Sequence, residues 1–205
     1  MTYRIAALLL GLVIAPYWGR VVRMAQKARR KTGRAANFLP AEPIGRVLRI
    51  IWMPVVVLWV AHPFLTACVA HPPAALRPLW QTAWAGFTGA ALAAFCFLAT
   101  RACWKAMGAH WRMGIDPAER TTLLIDGPFA YVRHPIYALS QAMMLATVIA
   151  IPSPLMIALA LLHISLMQWE AAREEKYLAQ IYGKQYMDYR ARVGRFIPRT
   201  RERRP

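Results

Sequence analysis

Two polar clusters flank one almost chargeless stretch of this chain. The first is Asp126–Tyr137, DGPFAYVRHPIY; the second is REEKYL at 173–178, followed by GKQYMDYRARVGRFIP at 183–198. The chemistry open to them is that of binding and positioning a charged ligand. Pro135 favours the first turn of a helix and biases His134 toward extended backbone. The N–H groups of that helix start have no partner within the helix and can meet a carboxylate. Gly127-Pro128 makes a tight turn that lets backbone approach a ligand. Read alone, the same loop also suits an interfacial anchor, with Arg133 on lipid phosphate and Tyr131 and Tyr137 at headgroup level.

Glu174 and Glu175 are adjacent and point about 100° apart on a helix, so one of them can face a given seam. His163, Glu170 and Glu174 fall on one helical stripe. A histidine within an apolar helix is either a functional group or a neutral ring bonded to a neighbouring helix. The glutamates are either site carboxylates or a solvated face screened by Arg173 and Lys176. Tyr186, Tyr189 and Arg192 recur every three residues. They suit a cover over a nucleoside-like ligand, or equally an amphipathic helix on the membrane surface.

These clusters need elements to bring them together. The chain has 205 residues, 58% of them hydrophobic and only 17% charged, a balance foreign to soluble domains. The apolar run Ile136–Met167 would span roughly 48 Å as one helix, more than a bilayer core. Pro152-Ser153-Pro154 divides it, which predicts a helical hairpin of 136–151 and 154 onward, the second arm continuing to about Tyr182 with Gly183 as its stop. Three further apolar helices are expected at Tyr3–Trp18, Leu48–Val69 and Leu79–Thr100. Gly86 and Gly89 suit close packing in the last of these. The first is expected to be a retained helix, because no small-residue cleavage site follows it. The fold class read here is an all-α integral membrane protein of about five transmembrane helices, with a cytoplasmic C-terminal helix. The whole chain, 1–205, is expected to form one membrane-embedded domain, with three N-terminal helices in 1–100 and the chemistry in 101–205.

A net charge of +17 raises the question of nucleic acid. The basic residues instead gather in alternate connections: nine in 20–49, five in 101–135 and ten in 173–204. That is the pattern of cytoplasmic loops, and no recognition motif accompanies it. It places the N-terminus outside and the C-terminus in the cytoplasm. RTRERRP at the end is expected to be a lipid-attracting tail. Cys68, Cys96 and Cys103 are odd in number and lack CxxC spacing, so they read as buried free thiols, with no metal site. MGAHWRMG at 107–114 lacks the strand and helix of a dinucleotide loop. No nucleophilic triad or internal repeat is present, so hydrolase and transporter readings lack support.

At these motifs the chain resembles the isoprenylcysteine carboxyl methyltransferases and their relatives, the phospholipid methyltransferases. The residues that carry the resemblance are MGAHWRMGID, LIDGPFAYVRHPIY, REEKYL and YGKQYMDYRARVGRFIP. It implies an integral membrane enzyme, in a prokaryotic case of the cytoplasmic membrane, that uses S-adenosylmethionine. It further implies a cofactor site of Gly127, Pro128, Tyr131, Val132, Arg133, His134, Pro135, Tyr137, Glu174, Tyr186 and Tyr189, with Glu174 at the reacting centre; Glu170 and Arg173, beside it in the chain, are further catalytic candidates. The acceptor would be a lipophilic or amphipathic molecule drawn from among the membrane lipids. One departure stands out: where the family often has an arginine one turn before the Glu-Glu pair, this chain has Glu170. Arg173, expected on a different face, would not replace it. A negative Glu170 suits an amine, so phospholipid N-methylation stands as the alternative to carboxyl methylation. A non-catalytic binding or assembly protein that keeps the fold is a further one.

Overall fold

The computed structural model describes residues 1–32, 43–108, 111 and 122–199. Among these residues five α-helices carry the fold: α1 (Thr2–Thr32), α2 (Pro43–Cys68), α3 (Ala83–Met107), α4 (Pro135–Ala150) and α5 (Pro154–Arg192). Among the described residues there is no strand, and a single isolated bridge joins Val132 to Gly194. Four of the helices are long and apolar enough to cross a membrane; α4, at 16 residues, is shorter. The chain is an integral membrane protein of all-α class. The MGAHWRMGID motif lies largely outside the described residues, as does nearly all of the basic tail.

Apolar side chains lie on both the inside and the outside of the bundle. Leu10, Ile14, Trp59, Met143, Met144 and Met156 are fully buried, whereas Leu12, Val57, Phe95, Leu98 and Leu161 are exposed. A soluble protein would collapse such an outer face against itself; in a bilayer it is the solvated one. The hairpin forms where its prolines predict. Ser153 caps α5 by accepting from Met156 N, and its hydroxyl also bonds His62 Nε2 on α2 at 2.9 Å. Leu79 N donates to Pro152 O, and the Tyr3 hydroxyl donates to Ala150 O. Three other segments therefore satisfy the polar groups of the turn, as an apolar surrounding demands.

His163 serves the packing of helices. Trp52 Nε1 donates to its Nδ1 at 3.1 Å, so that nitrogen carries no proton. The Nε2–H then faces Ser140 Oγ, also at 3.1 Å. A neutral histidine thus ties α2, α5 and α4 together. A second tie runs from Trp59 Nε1 to Thr147 Oγ1 at 2.9 Å.

Several boundaries differ from the sequence reading. Helix α1 runs past Trp18 to Thr32, so the basic connection begins within a helix. Arginine, lysine and glutamine are good helix formers, and the apolar limit of a span is not the limit of its helix. For the same reason α3 continues past Thr100 to Met107. It starts at Ala83 because the stretch Pro78–Thr82 is taken up by the loop that meets the hairpin turn. Gly183 has φ +50° and breaks the helical conformation, but the helix resumes and runs to Arg192. Cys96 and Cys103 are buried, whereas Cys68, the last residue of α2, is exposed.

Gly89 and Gly86 do permit close packing. A Cβ on Gly89 would lie 2.4 Å from Ala146 O and 2.6 Å from Ala150 Cβ, and one on Gly86 would lie 2.7 Å from Ala6 Cβ. Gly89→Ala is expected to lower stability by about 1–3 kcal/mol through overpacking. Gly19→Ala, where the nearest atom is an arginine side chain at 3.8 Å, should leave the melting temperature in detergent unchanged or slightly raised.

Candidate active site

The two polar clusters meet. A short 3-10 turn at Gly127–Ala130, opened by Gly127 at φ +60°, leads into Tyr131–His134 and then α4. This loop lies against Val193–Phe196. Arg133 N donates to Gly194 O at 2.8 Å and His134 N to Arg195 O at 3.0 Å. Gly194 permits the approach, since any Cβ there would collide with Ile197 O. The Tyr189 hydroxyl donates to Phe129 O at 2.6 Å and fixes the other end of the loop.

Glu175 is the centre of this assembly. Its carboxylate, 3% exposed, accepts from Arg133 Nε and Nη2 at 3.1 and 2.8 Å and from Arg195 Nε and Nη2 at 2.9 and 2.7 Å. Arg133 Nη1 also donates to the carbonyls of Arg190 and Val193. His134 Nε2 lies 3.3 Å from Glu175 Oε1. Two forked guanidiniums and an imidazole edge compensate a carboxylate that burial alone would penalise.

Glu174 points elsewhere, into a chamber. It accepts from the Tyr137 hydroxyl at 3.0 Å, and His134 Nδ1 stands 3.7 Å away. The His134 ring stacks on Tyr137, with centroids 5.3 Å apart and planes 6° from parallel. The chamber is walled by the α4 start (Arg133–Tyr137), by Glu170, Glu174 and Tyr182 of α5, and by Tyr186 and Tyr189 beyond Gly183. Helices α1–α3 complete it with Tyr17, Trp18, Arg49, Trp52 and Trp104. Buried polar atoms in that wall without a hydrogen-bond partner among the described residues include Trp18 Nε1 and Tyr186 Oη, the latter in a residue 1% exposed.

The expected site residues divide. Arg133, His134, Pro135, Tyr137, Glu170, Glu174, Tyr186 and Tyr189 line the chamber. Gly127, Pro128 and Val132 shape the loop behind it. Tyr131 is 70% exposed and does not line it. Arg192 is exposed and bonds Asp188 O on its own helix. The backbone N–H groups of Arg133 and His134 are taken by the C-terminal segment, and Ile136 and Tyr137 of the first turn of α4 line the chamber. Arg173, expected to project away from Glu170, instead grips it. Its Nη2 lies 2.8 and 2.9 Å from the two carboxylate oxygens, and its Nε is 3.1 Å from Oε2. The long side chain bridges three residues of helix, a pairing that Cβ direction alone does not reveal. Sequence reasoning missed Glu175, Arg195, Arg49 and Trp52. A second carboxylate beside Glu174 was the only signal for Glu175.

Residues 84–185 match the family model for PEMT, phospholipid methyltransferase. Over that half of its length the chain belongs to the phospholipid methyltransferase family. No curated protein and no solved structure gives a match. The matched segment of this phospholipid methyltransferase-family chain holds α3, the loop, α4 and α5 through both glutamates. The cover, Tyr186 and Tyr189, and the Arg195 clamp lie just beyond it.

Glu174 and Glu175 should therefore separate in their effect on stability. Glu175→Ala leaves Arg133 and Arg195 without their counter-charge and is expected to cost about 3–5 kcal/mol. Glu174→Ala removes one exposed-edge hydrogen bond and should cost about 1 kcal/mol. Thermal unfolding of the purified protein in detergent checks both.

Proposed function

We propose that this protein transfers a methyl group from S-adenosylmethionine to a lipophilic acceptor drawn from the membrane. The observation that carries the reading is the chamber itself: Glu174, the first turn of α4 and Tyr186, whose buried hydroxyl has no partner among the described residues, line one space that aromatic residues of α1–α3 close on the other side. The family's chemistry supports the reading, since it is one of membrane methyltransferases.

The donor set fits that cofactor. Glu174 would take its ammonium or stand by its sulfonium. The N–H groups of Ile136 and Tyr137 would take its carboxylate, as a helix start suits an anion. Tyr186 Oη would bond the nucleoside, and Tyr189 would hold the cover in place through Phe129 O. The loop residues Gly127, Pro128, Tyr131 and Val132 would support this wall from behind rather than touch the ligand. When bound, the cofactor supplies a methyl group on a sulfur that is already a leaving group. The protein's task is then alignment and exclusion of water. Because the cofactor's own sulfur would take the electron pair of the broken C–S bond, these residues need supply no acid to the leaving group. A carboxylate acceptor loses no proton, whereas an amine must lose one to a base, for which Glu174 or Glu170 would serve. Arg173 holds Glu170 as a neutralised pair, which reduces its pull on a cationic amine. We place the chamber at the cytoplasmic end of the hairpin, in a cytoplasmic membrane, on the strength of the basic loops.

Glu174→Ala is expected to abolish binding of S-adenosylmethionine in calorimetric titration while the protein keeps its melting transition. Wild-type affinity in that variant would reject the assignment. Incubation of wild type with methyl-labelled S-adenosylmethionine and total membrane lipid should yield labelled lipid. Base-labile label marks an ester and stable label an amine. No binding at millimolar cofactor would instead favour a non-catalytic membrane protein.

A further inference from the structure

The Glu175 clamp has a second side. Glu170, Glu174, Leu178 and Tyr182 line the chamber at four-residue intervals along α5. Ala172, Lys176, Ala179 and Gln180 fall on the opposite face of the same helix, and there they line a separate, open cleft. Arg190, near the end of α5, and Arg195, beyond it, supply the rest of its wall, and Glu175 lies between them. No residue is common to the chamber and the cleft.

The charges of the cleft define what it suits. Lys176, Arg190 and Arg195 are cationic, and among the described residues Glu175 is the one acidic side chain that lines it. That carboxylate is also held by Arg133 from the chamber side, so the cleft carries a positive excess. Arg195 engages both oxygens of Glu175 through Nε and Nη2, which occupies one edge of its guanidinium. A guanidinium has five N–H donors in one plane, so those of the other edge project away from the carboxylate. The Arg195 side chain is 34% exposed, and Lys176, Gln180 and Arg190 are exposed. A fork edge beside an ammonium and a second guanidinium matches the oxygens of a phosphate. Depth selects the source of that phosphate. At about 1.5 Å per residue from Pro154, Lys176 stands roughly 33 Å along α5, just past the ~30 Å of a hydrocarbon core. On the same helical stripe, toward the hairpin turn, Trp169 is exposed, as befits an aromatic residue at the membrane interface. The cleft therefore opens at headgroup level, where basic pockets meet anionic lipids.

We propose that this cleft is a binding site for the phosphate of an anionic phospholipid, with Arg195, Arg190 and Lys176 as its cationic wall. A phosphate there would brace the segment after α5 against the helix itself. That segment holds the loop through Gly194 O and Arg195 O, so occupancy should stabilise the fold by mass action. The site needs no methyl transfer, and binding alone tests it. The full chain, purified in non-ionic detergent, is titrated with dihexanoyl phosphatidylglycerol, dihexanoyl phosphatidylcholine and inorganic phosphate. Wild type is expected to bind the phosphatidylglycerol saturably, at least tenfold more tightly than either other probe, and to melt at a higher temperature in its presence. Lys176→Gln combined with Arg190→Gln should weaken that binding at least tenfold and remove the rise in melting temperature. Both residues are exposed and the Arg190 carbonyl that Arg133 binds is retained, so the lipid-free variant should melt as wild type. Lys176→Gln alone should show part of the loss. Removal of equal charge from the exposed face of α1, Lys27→Gln with Arg30→Gln, should leave binding unchanged. Equal binding of phosphatidylglycerol and phosphatidylcholine, or unchanged binding in the Lys176 and Arg190 variant, would overturn the proposal. An equal loss in the α1 variant would overturn it as well, since the attraction would then be general to the basic surface. Inorganic phosphate bound as tightly as phosphatidylglycerol would overturn the lipid as its ligand in favour of a free anion.

Discussion

The buried carboxylate of Glu175 is the interaction on which the site depends. Three stretches far apart in the chain converge on it: the loop before α4 through Arg133, the middle of α5, and the segment after α5 through Arg195. None of these would define a pocket alone. Burying a carboxylate between two guanidiniums gains little net stability compared with an apolar cluster of the same size, but leaving any one of the three unpaired is costly. The arrangement therefore acts mainly as a specification. It admits one register of loop against tail, and that register turns His134 and Tyr137 toward Glu174.

A second constraint comes from the solvent. Within hydrocarbon each polar group must find its partner in the protein. The bundle meets this with Tyr3 on Ala150, His62 on Ser153, Trp59 on Thr147, and Trp52 on His163 and Ser140. These pairs pin the hairpin to α1 and α2. They also give the second helix a part in the chamber wall: the pairing that satisfies His163 is the one that orients Trp52. Structural satisfaction and the shape of the chamber share the same atoms.

Much of the fold was legible because its signals are local. The paired prolines at 152 and 154 broke an overlong apolar run, Gly183 marked a change of backbone, and Gly86 and Gly89 marked close contact. Helix ends were less legible, since an apolar pattern reports the membrane and not the helix: α1 and α3 both continue into basic sequence. Within the site, the loop and Glu174 were legible by motif. Glu175 was not, because two adjacent glutamates are distinguished only by the rotation of α5. Packing of Met156, Leu159, His163 and Leu166 sets that rotation. Arg49 looked like one basic residue among nine in a lipid-facing connection. Its difference from the others lies in the ring beneath it, three residues on.

The loop and its partner strap also impose an order on biosynthesis. Arg133 is made 60 residues before Val193, whose carbonyl it binds. While α4 and α5 are being threaded into the bilayer, the guanidinium of Arg133 and the amide groups beside it have only water to answer them. Glu175, within α5, can answer the guanidinium once it is made, but the strap that fixes the loop can close only after the chain has been extended through Arg195. A nascent chain arrested within α5 would hold the hairpin and the loop without the segment that locks one to the other.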